Sequence, residues 1–121
     1  MEIAYLAVQG LLALAFLMSG GSKVAGAKMH VENFDRWRYP QAFRPVVGAV
    51  EVLGAAGMVV GIWAPLVAFA AAVWLAPTMV GAVYTHLVRA KDRGYPAPGV
   101  LLVLAAVVAV GRWQALLDLL P

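Results

Sequence analysis

Four long apolar runs, separated by a basic segment, a tight joint and a second basic segment, set the plan of this chain. Residues 3–22, 45–62, 66–87 and 98–117 are each about 20 residues long, which is what a helix needs to cross a hydrocarbon core of roughly 30 Å. The runs are continuous and do not alternate, so barrel strands are excluded. Helices are then required, because lipid offers backbone groups no other partner. The expected fold is therefore all-α: one transmembrane domain over residues 1–121, built as a four-helix membrane bundle.

Punctuation along the runs refines this plan. Pro45 stands at a suitable first helical position. Pro77, inside the third run, removes a hydrogen bond and predicts a bend, with Thr78 near enough to serve a freed backbone group. The joint around Trp63-Ala64-Pro65 is so short that the helices on either side must be antiparallel neighbours. In the first basic segment Val31, Phe34 and Trp37 recur every three residues among charged positions, predicting a short interfacial helix between spans one and two. The chain starts without a basic n-region, so the first run is expected to be a retained helix.

Composition agrees with lipid as the solvent. Of 121 residues, 64% are hydrophobic and 12% charged, with a mean hydropathy of +0.86; so small a domain has too little interior to hide that much apolar surface from water. There is no cysteine, which removes disulfides, thiolate metal ligands and thiol catalysis. The net charge of +3 does not point to nucleic acid, because the basic residues sit beside apolar spans. Lys23, Lys28, Arg36, Arg38 and Arg44 precede the second span, and Arg89, Lys91 and Arg93 precede the fourth. The positive-inside rule then places loops 23–44 and 88–97 in the cytoplasm and both termini outside, in a multi-pass protein of the cell membrane. Tyr5, Trp63 and Trp113 fall near the outer interface and Trp37, Tyr39, Phe43 and Tyr95 near the inner one, whereas Trp74 fits neither belt.

Glu51 is the informative polar residue. It lies about 9 Å along its helix from the inner interface, where an ionised carboxylate costs about 2.5–3.5 kcal/mol unless it is paired or faces water. Gly48 and Gly54 flank it at three residues, and Gly57 and Gly61 extend a small-residue face for close helix packing. Arg44, two turns before Glu51, is expected to reach inward past Gly48. Lys23 closes the first span, and Thr85 and His86 close the third, at a similar depth. Lys23, Arg44, Glu51, Thr85 and His86 are therefore expected to share one ligand pocket. Arg112 lies about 21 Å along the fourth run and is expected to snorkel outward or to pair with Gln9. His30 is expected to be solvated. With two histidines, no cysteine and one buried carboxylate, no metal or haem site is expected.

Residues 16–23 (Phe-Leu-Met-Ser-Gly-Gly-Ser-Lys), 44–54 (Arg-Pro-Val-Val-Gly-Ala-Val-Glu-Val-Leu-Gly) and 79–86 (Met-Val-Gly-Ala-Val-Tyr-Thr-His), with the late Arg112, resemble in order and spacing the DoxX and DoxX-like membrane proteins. The resemblance covers nearly the whole chain. It implies a four-helix membrane fold and, in some members, association with oxidoreductases that deliver electrons to quinone, such as a thiosulfate:quinone oxidoreductase subunit. Related branches resemble eukaryotic receptor-assembly chaperones and endoplasmic-reticulum cargo receptors, so the family alone does not fix a function. Lys23, Arg44, Glu51 and His86 match its polar positions, and no catalytic role comes with them.

Two readings follow as expectations. In the first, the chain is an accessory subunit whose polar pocket takes a small lipophilic ligand, with quinone as the cofactor class and an oxidoreductase subunit as partner. In the second, it is a chaperone or assembly factor whose small-residue face binds client membrane proteins. Homo-oligomerisation stays open under both, and a proton-coupled transporter fits less well, because four helices leave little room.

Overall fold

The first apolar run forms α1 (Glu2–Ala25), longer at its inner end than hydropathy alone predicts. Gly26 stops it with a left-handed φ of 78°, while the Ala27 amide bonds back to the Ser22 carbonyl at 3.0 Å, a glycine-terminated C-cap that reverses the chain. The interfacial segment then forms α2 (Lys28–Arg36). The second run is α3 (Phe43–Val60), and after a tight joint the third is α4 (Pro65–Tyr84), entered through Pro65. This helix runs unbroken through Pro77 and widens into one π-helical turn over Thr85–Arg89. The computed structural model from which these elements are drawn describes residues 2–121, and among them there is no strand.

The fourth run departs from its expected form. Instead of one helix over 98–117, α5 (Pro96–Gly111) ends at Arg112, which has left helical geometry at φ −104°, ψ 7°, and a short α6 (Trp113–Leu117) follows. Gly111 packs its bare backbone against the Tyr5 ring, and Arg112 turns its side chain into the bundle. Three helical rods, Glu2–Ala25, Phe43–Val60 and Pro65–Arg89, are long and apolar enough to cross a membrane, while α5 is a shorter apolar helix. At 16 residues it spans about 24 Å.

The helices close into a ring: α1 packs on α3, α3 on α4, α4 on α5 and α5 back on α1. Each buries one stripe. On α1 it is Gln9, Leu12, Ala13, Phe16 and Gly20; on α3, Gly48, Glu51, Gly54, Ala55 and Met58, both at helical spacing. Leucine, valine and isoleucine cover the outside, with Leu11, Leu53, Val73 and Val103 all exposed, the surface expected of a helix bundle in lipid.

Glycine sets the approach of the rods. A methyl group at Gly48 would lie 2.6 Å from the Gly20 carbonyl oxygen, and one at Gly20 equally close to the Gly48 carbonyl, so α1 and α3 meet backbone to backbone. Gly54 receives the Leu75 side chain, Gly57 the Ala71 methyl and Gly61 the Ala68 backbone, the small-residue packing expected of α3 against α4. Trp74, the tryptophan outside both belts, donates its indole N–H to the Val50 carbonyl at 2.9 Å, which satisfies the one polar group it carries into the apolar zone.

Candidate functional site

Close approach of α1 and α3 at Gly20 and Gly48 lets a short ion pair form across the same contact, with Lys23 beside Gly48 and Glu51 beside Gly20. The Lys23 ammonium donates to Glu51 Oε1 at 2.6 Å and to Ser19 Oγ at 2.6 Å, and Glu51 is 1% exposed. The pairing explains how the carboxylate is carried into the bundle, since an unpaired charge at that depth costs several kcal/mol. The other carboxylate oxygen, Oε2, is buried and has no hydrogen-bond partner among the described residues.

Above this floor α2 folds over the bundle. Its apolar face does not simply lie on the membrane surface: His30 and Phe34, one turn apart, are buried and help to roof a cavity of about 740 Å³. Phe34, Trp37, Tyr39 and Phe43 form a chain of tilted and edge-on ring contacts with centroids 5.5–6.5 Å apart. Trp37 also meets His86 edge-on at 5.3 Å. The Trp37 indole nitrogen is the second buried polar atom with no partner among the described residues, and its residue lines the same cavity as Glu51.

The third wall is the π-helical turn. Thr85 accepts the Ala90 amide on its carbonyl at 2.8 Å, five residues on, a wider turn of the kind found at functional sites. Its hydroxyl donates to the Gly81 carbonyl and shares a 2.8 Å hydrogen bond with the Tyr39 hydroxyl. His86 Nδ1 meets Asp92 Oδ1 at 2.6 Å. The Gly94 amide and His86 hold the Asp92 carboxyl below the usual carboxylate range, while Arg36 stands 3.5 Å from its other oxygen. Arg89 stacks on Tyr39 at 4.3 Å and donates to the Trp37 and Arg38 carbonyls, which fixes the roof to α4. Arg38, at φ 63°, makes the turn that this clamp grips.

Of the five residues expected to share a pocket, Lys23, Glu51, Thr85 and His86 line this cavity and Arg44 does not. The guanidinium of Arg44 instead donates to the Lys23 carbonyl at 2.9 Å and to Gln41 at 2.7 Å, capping the C-terminal end of α1, where a cation complements the helix dipole. The space beside Gly48 that would admit it is filled by Gly20, Lys23 and Val24. His30, expected to be solvated, is 9% exposed and hydrogen-bonded to Ser22 at 2.9 Å. Burial, then the nearby charge of Lys23, holds its imidazole below the ordinary histidine range, with Glu51 opposing. Trp37, Tyr39 and Asp92 belong to the site as well. The sequence signals for the first two were their places in the inner aromatic belt and, for Trp37, the period-three spacing that predicted α2.

Arg112 forms a separate polar cluster at the other end of the bundle. Its Nε and Nη2 both donate to Gln9 Oε1, at 2.9 and 2.8 Å, and Nη1 donates to Glu2 at 2.8 Å, with the Tyr5 ring alongside. Arg112 is 6% exposed and Gln9 0%. Pairing with Gln9 is thus observed, and it ties α5 to α1 where the ring closes.

Two comparisons bear on these features. The Bacillus subtilis (strain 168) protein named Uncharacterized protein YdgD is similar to this chain, 31% identical over 101 residues that cover 81% of this chain and 89% of its own length. No solved structure matches. The sequence model of the DoxX-like family matches residues 7–108, a stretch that holds Lys23, Glu51, the α2 roof and the π-helical turn. This apolar helix bundle is a membrane protein and belongs to the DoxX-like family.

Proposed function

We propose that the protein is a membrane-embedded accessory subunit that binds a small lipophilic ligand with a polar head, quinone being the class, on behalf of an oxidoreductase system. The observation that carries this reading is the cavity beside Glu51, with charged and hydroxyl groups at its floor and wall, aromatic rings over it and apolar side chains elsewhere. About 740 Å³ suits a single cofactor-sized molecule. The basic loops face the cytoplasm and both termini the outside of the cell membrane, so the ligand head sits toward the cytoplasmic leaflet. Gentle purification, solvent extraction and mass spectrometry test the reading. It expects a co-purifying quinone at a sizeable fraction of one per chain; no quinone, and no response to added quinone, overturns it.

A second reading, an assembly factor for client membrane helices, draws on an apolar groove of about 770 Å³ along α4, bordered by Phe69, Val73, Trp74 and Pro77. A stoichiometric protein partner that is lost in Val73→Arg, at an exposed groove position, would favour it.

A further inference from the structure

The inward stripe of α2 borders open space more than it packs on a neighbouring helix. Met29, His30, Asn33 and Phe34, followed by Trp37, fall on one side at helical spacing, and all line the cavity of about 740 Å³. The rods α1, α3 and α4 each bury five residues, whereas α2 buries His30 and Phe34 alone among the described residues. A side chain over a void lacks the contacts that fix a packed one. Apolar packing therefore holds the roof less firmly than it holds the rods beneath.

Apart from the bond between His30 and Ser22, the polar contacts that fasten the roof to the rods are gathered at one edge. Arg89 donates to the Trp37 and Arg38 carbonyls and stacks on Tyr39, the Tyr39 hydroxyl meets Thr85, and Arg36 reaches Asp92. All end on the π-helical turn or the loop after it. Arg36 and Arg89 are exposed, and ion pairs of that kind are individually weak. At its other end α2 follows Gly26, whose φ of 78° makes a left-handed turn. An added Cβ there would meet only the Arg44 guanidinium, at 3.5 Å, so the turn is not packed in place.

A second resting place is open to this helix. With Met29, Val31 and Phe34 set among Lys28, Glu32, Asp35 and Arg36, it is amphipathic, and such a helix also lies stably in the headgroup zone of a bilayer. Phe34 is shielded from water in either place, by the cavity or by acyl chains, so exchange between the two forfeits little apolar burial.

We propose that α2 is a gate: hinged at Gly26 and in residues 40–42, and latched to the π-helical turn by Arg36, Tyr39 and Arg89, it swings from the cavity onto the inner-leaflet headgroups and opens a side entrance for lipophilic molecules. What enters rests on the lipophilic-ligand reading; the motion does not.

Full-length protein in phospholipid nanodiscs, with no ligand added, tests the motion. Because the chain has no cysteine, Met79→Cys places a single thiol in the cavity wall at a residue 5% exposed, and Ala105→Cys places one in the core away from the cavity. Arg89→Ala breaks the latch. Alkylation of Met79→Cys by N-ethylmaleimide then speeds up about tenfold or more, the worth of the hydrogen bonds lost, while Ala105→Cys keeps its rate. Nitroxides at Glu32→Cys and Val100→Cys, both exposed, gain a second population of distances in the same variant. A nitroxide at Phe34→Cys there collides more with oxygen, which dissolves in lipid, than with a water-soluble nickel chelate. Tyr39→Phe, which removes only the bond to Thr85, raises the alkylation rate severalfold and serves where Arg89→Ala does not fold. No rise at Met79→Cys in a folded latch variant, a rise matched at Ala105→Cys, or a Phe34→Cys label that favours the chelate overturns the gate. Its failure leaves the lipophilic-ligand reading standing; purified protein free of any bound lipophile overturns that reading and leaves the gate standing.

Discussion

Glu51 and Lys23 are a pair whose members cannot be removed singly without cost. Glu51→Ala leaves the Lys23 ammonium, mostly buried, without its counter-charge, a loss of about 3 kcal/mol or more. Replacing both, as Lys23→Met with Glu51→Leu, returns most of that stability, because the desolvation of both charges disappears with them. Thermal unfolding in one detergent compares the two; a single mutant as stable as the parent would show that the pair bears no strain. His30 makes a prediction in pH. Its folded-state pKa lies below the ordinary 6.5, so the unfolded chain binds this proton more readily. The stability it contributes is complete above about pH 6.5 and falls as pH drops below that value. Melting temperature should decline between pH 7.5 and 5.5, and His30→Gln should flatten that slope; an unchanged slope sinks the assignment. At this scale Glu51 was legible, because a carboxylate in an apolar span demands a partner. His30 was not, because a lone histidine in a polar segment carries no sign of what will cover it.

The elements owe their positions to close backbone contacts as much as to hydropathy. Gly48→Ala pushes a methyl into the Gly20 carbonyl, a backbone atom that cannot swing away, and should cost about 1–3 kcal/mol of overpacking. Gly10→Ala and Gly21→Ala, whose added methyl groups meet nothing within 4 Å, should be neutral or mildly stabilising in a helix interior. Equal melting temperatures for Gly48→Ala and Gly10→Ala would mean that the α1–α3 contact does not hold the pair. The existence of four apolar helices could be read from the chain because lipid tolerates few alternatives. Their facing sides were harder to read, since a helix that is apolar all round carries no inward stripe, and only its glycines and polar residues mark one. The period-three spacing of Val31, Phe34 and Trp37 predicted α2 but not its docking over the cavity, which depends on Arg89 gripping the following turn. The break at Arg112 was hidden for a similar reason: it answers to Gln9 and Glu2, more than 100 residues away.

Seen whole, the molecule is a polarised bundle, with an arginine-centred cluster tying α1 to α5 at one end and the cavity at the other. Because the chain has no cysteine, single substitutions report its orientation cleanly. With an impermeant maleimide on intact cells, Leu120→Cys should label and Lys28→Cys should label only after lysis; the reverse pattern would invert the topology. On the proposed reading the cavity beside Glu51 holds a lipophilic molecule, and Gly81 offers a way to fill it. Gly81 lines the cavity, and a side chain there meets no protein atom within 4 Å of its Cβ, so Gly81→Phe should occupy the space without unfolding the helix. The deciding measurement is the amount of quinone extracted from purified parent and Gly81→Phe protein of equal thermal stability. A bound quinone in the parent that falls at least tenfold in the variant is expected; equal amounts in the two, or none in either, would overturn the lipophilic-ligand reading.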